Sequence, residues 1–279
     1  MRIPLPFPVS MQGVLDPCLL VSLKTPAEAV EHLIPPPLRL MTHDAGGERW
    51  AFWNVVVCRV ERMRPLGVPR VFGVSYAHIA YRLMVETDTA RGPMSGLYFI
   101  RSDADSSPIV TFGDPVSDFR FRRCRASGAS DRSRVRSDVT SADARADLTI
   151  EASEGDEGTW DDGGLFASPQ AMRRALKYRP VSMAPDATGR VLRLAEVFRE
   201  ESEWDEQPVR LEQWNATLFR SLGVPEPEPV LATRVARIDY RWRLGRTCRL
   251  FNRRPSGVSG SLAPACAGEQ EGGPQHRYR

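Results

Sequence analysis

The chain has 279 residues, 42% of them hydrophobic and 26% charged, with a formal net charge of +3. This length and apolar content exclude wholesale disorder and suffice for one large domain or two modest ones. So small a net charge gives no general attraction to nucleic acid, and no nucleic-acid partner is expected. Lysine occurs only at Lys24 and Lys177, so nearly all positive charge is arginine and amines for covalent catalysis are scarce. Cys18, Cys58, Cys124, Cys248 and Cys266 are odd in number, far apart and lack CxxC spacing. That pattern argues against a disulfide framework or zinc site and fits a reducing, cytoplasmic compartment. Pro4, Pro6 and Pro8 break the apolar N-terminus, and no apolar run reaches membrane-spanning length, so no membrane partner is expected.

In chain order, Leu19–Leu23 suits a strand. Thr25, Pro26 and Glu28 then read as a capped helix start, with the helix continuing through Ile34 to the stop at Pro35–Pro37. Leu38–Met41 is extended, and Asp44–Gly47 reads as a hairpin turn. Trp50–Val60 has aromatic and β-branched residues on both parities, which predicts a strand covered on both faces. Asn54 is the lone polar residue in its middle and is expected to have a hydrogen-bond partner.

Val74–Glu86 alternates Ile79, Tyr81, Leu83 and Val85 with Tyr76, His78, Arg82 and Glu86, predicting a strand with one core face and one polar face. Met94–Asp103 is the next strand, followed by a short helix or irregular crossover over Pro108–Asp118. Asp118–Arg125, Arg134–Asp138 and Ala146–Ala152 read as three more strands, and Glu154–Gly164 as a loop. Ser168-Pro169 opens a helix through Lys177. Arg190–Arg199 reads as a strand, Leu211–Leu222 as a short helix ending at Gly223, and Val230–Leu244 as a final strand. From Asn252 the composition turns to Gly, Ser, Pro and Arg, which predicts a domain over 1–251 and a disordered tail over 252–279.

Pro4–Pro8, Ile34–Pro37, Trp50 with its strand, Arg64-Pro-Leu-Gly67, Tyr81-Arg82 and Gly96-Leu-Tyr-Phe-Ile-Arg-Ser-Asp103 together resemble an uncharacterised bacterial family within the acetoacetate-decarboxylase-like superfamily. The resemblance implies an α+β, mainly antiparallel fold: a curved sheet closed into a cone or barrel around a pocket, with a few external helices. It also implies where a Schiff-base lysine would stand, after the strand ending at Asp103. The corresponding stretch, Thr111–Phe121, contains none. Arginine stays protonated and does not replace an amine nucleophile, so Schiff-base decarboxylation is not expected. Lys24 and Lys177 are read as solvated.

Within that scaffold the expected ligand-binding residues are Tyr76, His78, Arg82, Arg101 and Asn54, with His78 as the candidate acid or base. Arginine would hold an anionic group by paired hydrogen bonds. The expected ligand is a small organic or keto acid or an aromatic metabolite, bound or turned over without a Schiff base. The alternative is a non-catalytic structural or interaction protein whose lumen is packed core, with Tyr76, His78 and Arg82 facing solvent or in structural hydrogen bonds and Arg101 in a surface ion pair with Asp103. Tyr81 and Tyr98 are read as core aromatics with bonded hydroxyls. The four histidines lack paired spacing and no Gly-rich loop cradles a phosphate, so neither metal nor cofactor is expected. Homo-oligomerisation is left open.

Overall fold

The strand β1 (Val9–Pro26) is paired along both of its edges, and the whole sheet is built out from it. In this computed structural model, residues 8–113, 116–131, 133–156 and 162–250 are described. The tail expected over 252–279 lies outside them. One edge of β1 carries β4 (Glu48–Pro65), from Met11↔Pro65 to Pro26↔Trp50. The other edge carries β14 (Ile238–Arg249) along its first half and β13 (Glu228–Val235) along its second. Beyond β4 lie β5 (Val74–Thr89) and β6 (Gly92–Ala104), both antiparallel.

The four-stranded wall β1-β4-β5-β6 forks at both margins. The first half of β6 meets β10 (Val181–Pro185), which leads through β11 (Val191–Phe198) to β14 and back to β1. The second half meets β7 (Phe121–Ser130), which leads through β8 (Arg134–Ser141), β9 (Leu148–Glu154) and β12 (Glu206–Ala216) to β13 and back to β1. The two circuits enclose opposite faces of the same wall, giving a curved, cone-like closure. One apolar core, with Trp53, Tyr81, Leu148, Ile150 and Phe219, packs on one face, and a second, with Leu20, Phe52, Met84, Phe99 and Tyr240, on the other. This is why Trp50–Val60 is apolar on both parities. The close approach of β10 requires Gly96, where a Cβ would stand 2.5 Å from the Val181 carbonyl oxygen.

Among the described residues three short α-helices lie beside the sheet: α1 (Ala27–Val30), α2 (Pro169–Leu176) and α3 (Leu218–Leu222). The Ser168 side chain caps α2 by accepting from the Ala171 amide, as its sequence predicts. The capping box at Thr25 does not form. Thr25 and Pro26 are taken up in β1, opposite Ala51 and Trp50, so α1 starts later with Pro26 as its cap and no side-chain acceptor. Long-range pairing overrides the local signal there. Likewise 211–216 is the end of β12, paired to β9, and within 211–222 only Leu218–Leu222 is helical: the i, i+3 spacing of Leu211 and Trp214 is a weak signal that strand pairing overrides. The expected strand Val230–Leu244 is two collinear strands, β13 and β14, broken at Ala236-Arg237. Turn residues Gly46 and Gly47, both at positive φ, join β3 (Thr42–Ala45) to β4 as expected.

Candidate active site

Register across β1, β4 and β5 determines which polar side chains share the inner face. Cys18, Cys58 and His78 form one row, Leu20, Val56 and Ala80 the next, and Ser22, Asn54 and Arg82 the third. Small Ala80 between His78 and Arg82 leaves a gap, closed over by Phe99 of β6, Tyr240 and Trp242 of β14, and Tyr178 from the segment after α2. The cavity measures about 40 Å³, room for roughly three waters or the head of a small acid.

Arg82 is 4% exposed. Its Nε donates to the Asn54 carbonyl oxygen at 3.3 Å, and one terminal nitrogen donates to Asn54 Oδ1. The ring faces of Phe99 and Tyr178 lie 5.5 and 5.3 Å from the guanidinium. Among the described residues no carboxylate lies within ion-pair reach of it. The guanidinium is therefore a buried cation balanced by the backbone carbonyl and side-chain amide of Asn54 and by two ring faces.

His78 is 5% exposed, and its Nε2 has no hydrogen-bond partner among the described residues. Burial, helped by the charge of Arg82, pushes its pKa down from 6.5 to about 3. The imidazole is thus neutral near pH 7, a hydrogen-bonding group or base beside a fixed cation rather than a second cation. Tyr178 and Tyr240 share a hydroxyl–hydroxyl bond of 2.9 Å, and burial holds the Tyr240 hydroxyl protonated well above its usual range. One of these hydroxyls keeps a proton to offer the cavity. Cys58 is likewise held as a thiol, first by its hydrogen bond with Cys18 and then by burial.

Of the five expected ligand-binding residues, the structure brings together His78, Arg82 and Asn54, with Asn54 serving as support behind Arg82 rather than as cavity lining. Tyr76 is buried on the same face, its ring 6.0 Å from that of His78, but it lines a neighbouring groove. Arg101 is on the opposite face. Between Tyr81↔Arg101 and Arg82↔Phe99 the register slips by one, so Ile100 is an extra residue and parity reverses along β6. Phe99 points into the cavity, whereas Arg101 grips Asp103 (2.7 and 2.8 Å) and Asp143 (both 2.8 Å) on the other side. Asp103 is fully buried, so this is an interior ion pair, not the surface pair read from sequence. Burial pushes the Asp103 carboxyl up against the pull of Arg101, and the same guanidinium holds the more exposed Asp143 well below the usual carboxylate range.

Tyr98 accepts a hydrogen bond from Arg120 as expected, but the Tyr81 hydroxyl has no partner among the described residues. Lys24 is not solvated: its amine lies 3.2 Å from Glu228 and over the Trp50 ring. Neither it nor Lys177 lines the Arg82 cavity. Sequence reasoning missed Tyr178, Phe99 and the cavity role of Tyr240 and Trp242. The alternation of Tyr240 and Trp242 on one strand was the only signal, and Tyr178 carried none.

A family model described as an uncharacterized conserved protein, DUF2071, matches residues 15–239. A comparison with curated proteins finds no match. Among solved structures, an acetoacetate-decarboxylase-like enzyme from Sphingomonas wittichii RW1 is similar at TM-score 0.51 and 15% identity, covering 87% of this chain and 92% of that one. The enduracididine biosynthesis enzyme MppR in complex with pyruvate gives TM-score 0.51 and 12% identity, covering 90% and 93%. At these identities the likeness is one of fold. No helix among the described residues is long and apolar enough to cross a membrane. With the family model spanning most of the chain, the chain belongs to the DUF2071 family of uncharacterized conserved proteins, and it has an acetoacetate-decarboxylase-like fold.

Proposed function

We propose that this protein binds a small carboxylic or keto acid in the Arg82 cavity and that any chemistry there proceeds without a Schiff base. The observation that carries the reading is Arg82 itself. A guanidinium at 4% exposure, held by Asn54 and lacking an anionic partner among the described residues, is costly unless a ligand supplies the counter-charge. Neutral His78 stands two rows away, beyond Ala80, with an unpartnered Nε2 among the described residues, and the Tyr178–Tyr240 pair offers a hydroxyl proton. Together they are suited to a carboxylate on Arg82 and an adjacent carbonyl or hydroxyl on His78 or a tyrosine. Pyruvate in the similarly folded MppR is a ligand of this kind.

The small cavity favours a second reading, a lumen that is only packed core. Calorimetry with pyruvate and butanoate separates the two. Carboxylate binding predicts heat and a thermal upshift that Arg82→Met abolishes, a loss of about 10- to 150-fold in affinity for one charge-assisted contact. No response to any short acid would establish the packed lumen. Borohydride reduction with pyruvate should leave the protein mass unchanged, since neither lysine lines the cavity; a trapped adduct would sink the non-Schiff-base assignment.

A further inference from the structure

Outside the Arg82 cavity lies an open apolar groove of about 380 Å³, within the size range of ligand pockets. Phe119 and Trp242 are walls of both spaces, and their rings meet edge to face at 6.3 Å. Phe72 and Phe112 stand on the groove's rim, 71% and 72% exposed. Large aromatics so exposed beside a continuous apolar groove mark a place where something apolar binds. Arg64 is the only charged residue in the groove's described lining, and its guanidinium is turned onto the backbone carbonyl oxygens of Val68 and Arg62. Apart from this one guanidinium, the groove's described lining is uncharged and mostly apolar.

The two volumes constrain the ligand. The inner cavity, at about 40 Å³, has room for a carboxylate with its neighbouring carbonyl or hydroxyl and little more. Whatever is attached to that carboxylate must leave the cavity, and the space it meets across Phe119 and Trp242 is apolar. We infer that the ligand is an amphipathic monocarboxylic acid, with its head on Arg82 and a hydrocarbon tail passing alongside Phe119 and Trp242, the walls common to both spaces, into the groove beneath Phe72 and Phe112. This rests on Arg82 being a carboxylate site.

The test is a calorimetric series of butanoate, octanoate and dodecanoate with the full chain, below micelle concentrations. Affinity should rise with chain length, by up to about fourfold per added methylene that reaches the groove. Val74→Trp, which fills the groove from β5, should weaken dodecanoate by about tenfold or more and leave butanoate within about twofold, since only the tail loses its burial. Phe112→Ser, on the exposed rim, should weaken dodecanoate in the same selective way and serves if Val74→Trp does not fold. Arg82→Met should remove binding of all three acids. Arg82-dependent butanoate binding with a flat series overturns the tail inference and leaves the carboxylate site standing; no binding of any acid removes both. A flat series together with a dimer that Phe72→Asp dissolves assigns the groove to a second copy of this chain. A flat series that turns steep in Phe7→Ser assigns it to the chain's own N-terminus. Either result overturns the inference.

Discussion

The pair Arg82–Asn54 allows the cost of the proposed site to be measured directly in folding energy. Without ligand, Arg82→Met removes a buried charge whose desolvation costs several kcal/mol. Against this it forfeits two ring contacts worth about 0.5–2 kcal/mol each and leaves Asn54 Oδ1 short of its donor, at about 1–3 kcal/mol. These terms nearly cancel, so Arg82→Met should unfold in urea within about 1.5 kcal/mol of wild type. Asn54→Leu keeps the charge but strips its side-chain partner and should cost about 3–5 kcal/mol. The double variant, with neither charge nor orphaned amide, should regain that loss, a coupling of about 3 kcal/mol between residues facing one another across β4 and β5. Saturating carboxylate at 100 times Kd should stabilise wild type by about 2.7 kcal/mol and leave Arg82→Met unmoved. If both single losses are large and simply add in the double variant, Arg82 is an ordinary structural residue and the reasoning fails.

Arg101 should behave in the opposite way. Arg101→Met leaves the fully buried Asp103 without its guanidinium and should cost about 3–5 kcal/mol in urea unfolding. Any variant that stays folded should bind short acids as wild type does, and a selective loss of binding would return Arg101 to the site. His78 makes a pH prediction. Its folded pKa, about 3, lies below its ordinary 6.5, so between those values the unfolded chain binds the extra proton and acid destabilises the fold. The contribution is complete above about pH 6.5 and declines by up to about 1.4 kcal/mol per pH unit as pH falls towards 3. His78→Phe should flatten that slope, and an NMR titration placing the His78 midpoint near 6.5 would refute it.

The sequence by itself determined which stretches form the sheet's shared wall. Trp50–Val60 and Leu19–Leu23 are apolar on both parities because both faces of that wall are buried, and burial leaves its mark residue by residue. The polar alternation of His78 and Arg82 was legible for the same reason, as was the Ser168 cap, which needs only its neighbours. The missing lysine was legible from composition together with a family resemblance. Only the tertiary structure decided the rest. The slip at Ile100 turned Arg101 away from the cavity, since one extra residue in a period of two reverses every side chain beyond it. Pairing between distant strands consumed the cap at Thr25 and made a strand of 206–216, because hydrogen bonds to β4 and β9 outweigh a local propensity of a few tenths of a kcal/mol per residue. Tyr178 and Tyr240, 62 positions apart, meet at 2.9 Å over Arg82. No local pattern records such a meeting, because it depends on where the forked sheet closes.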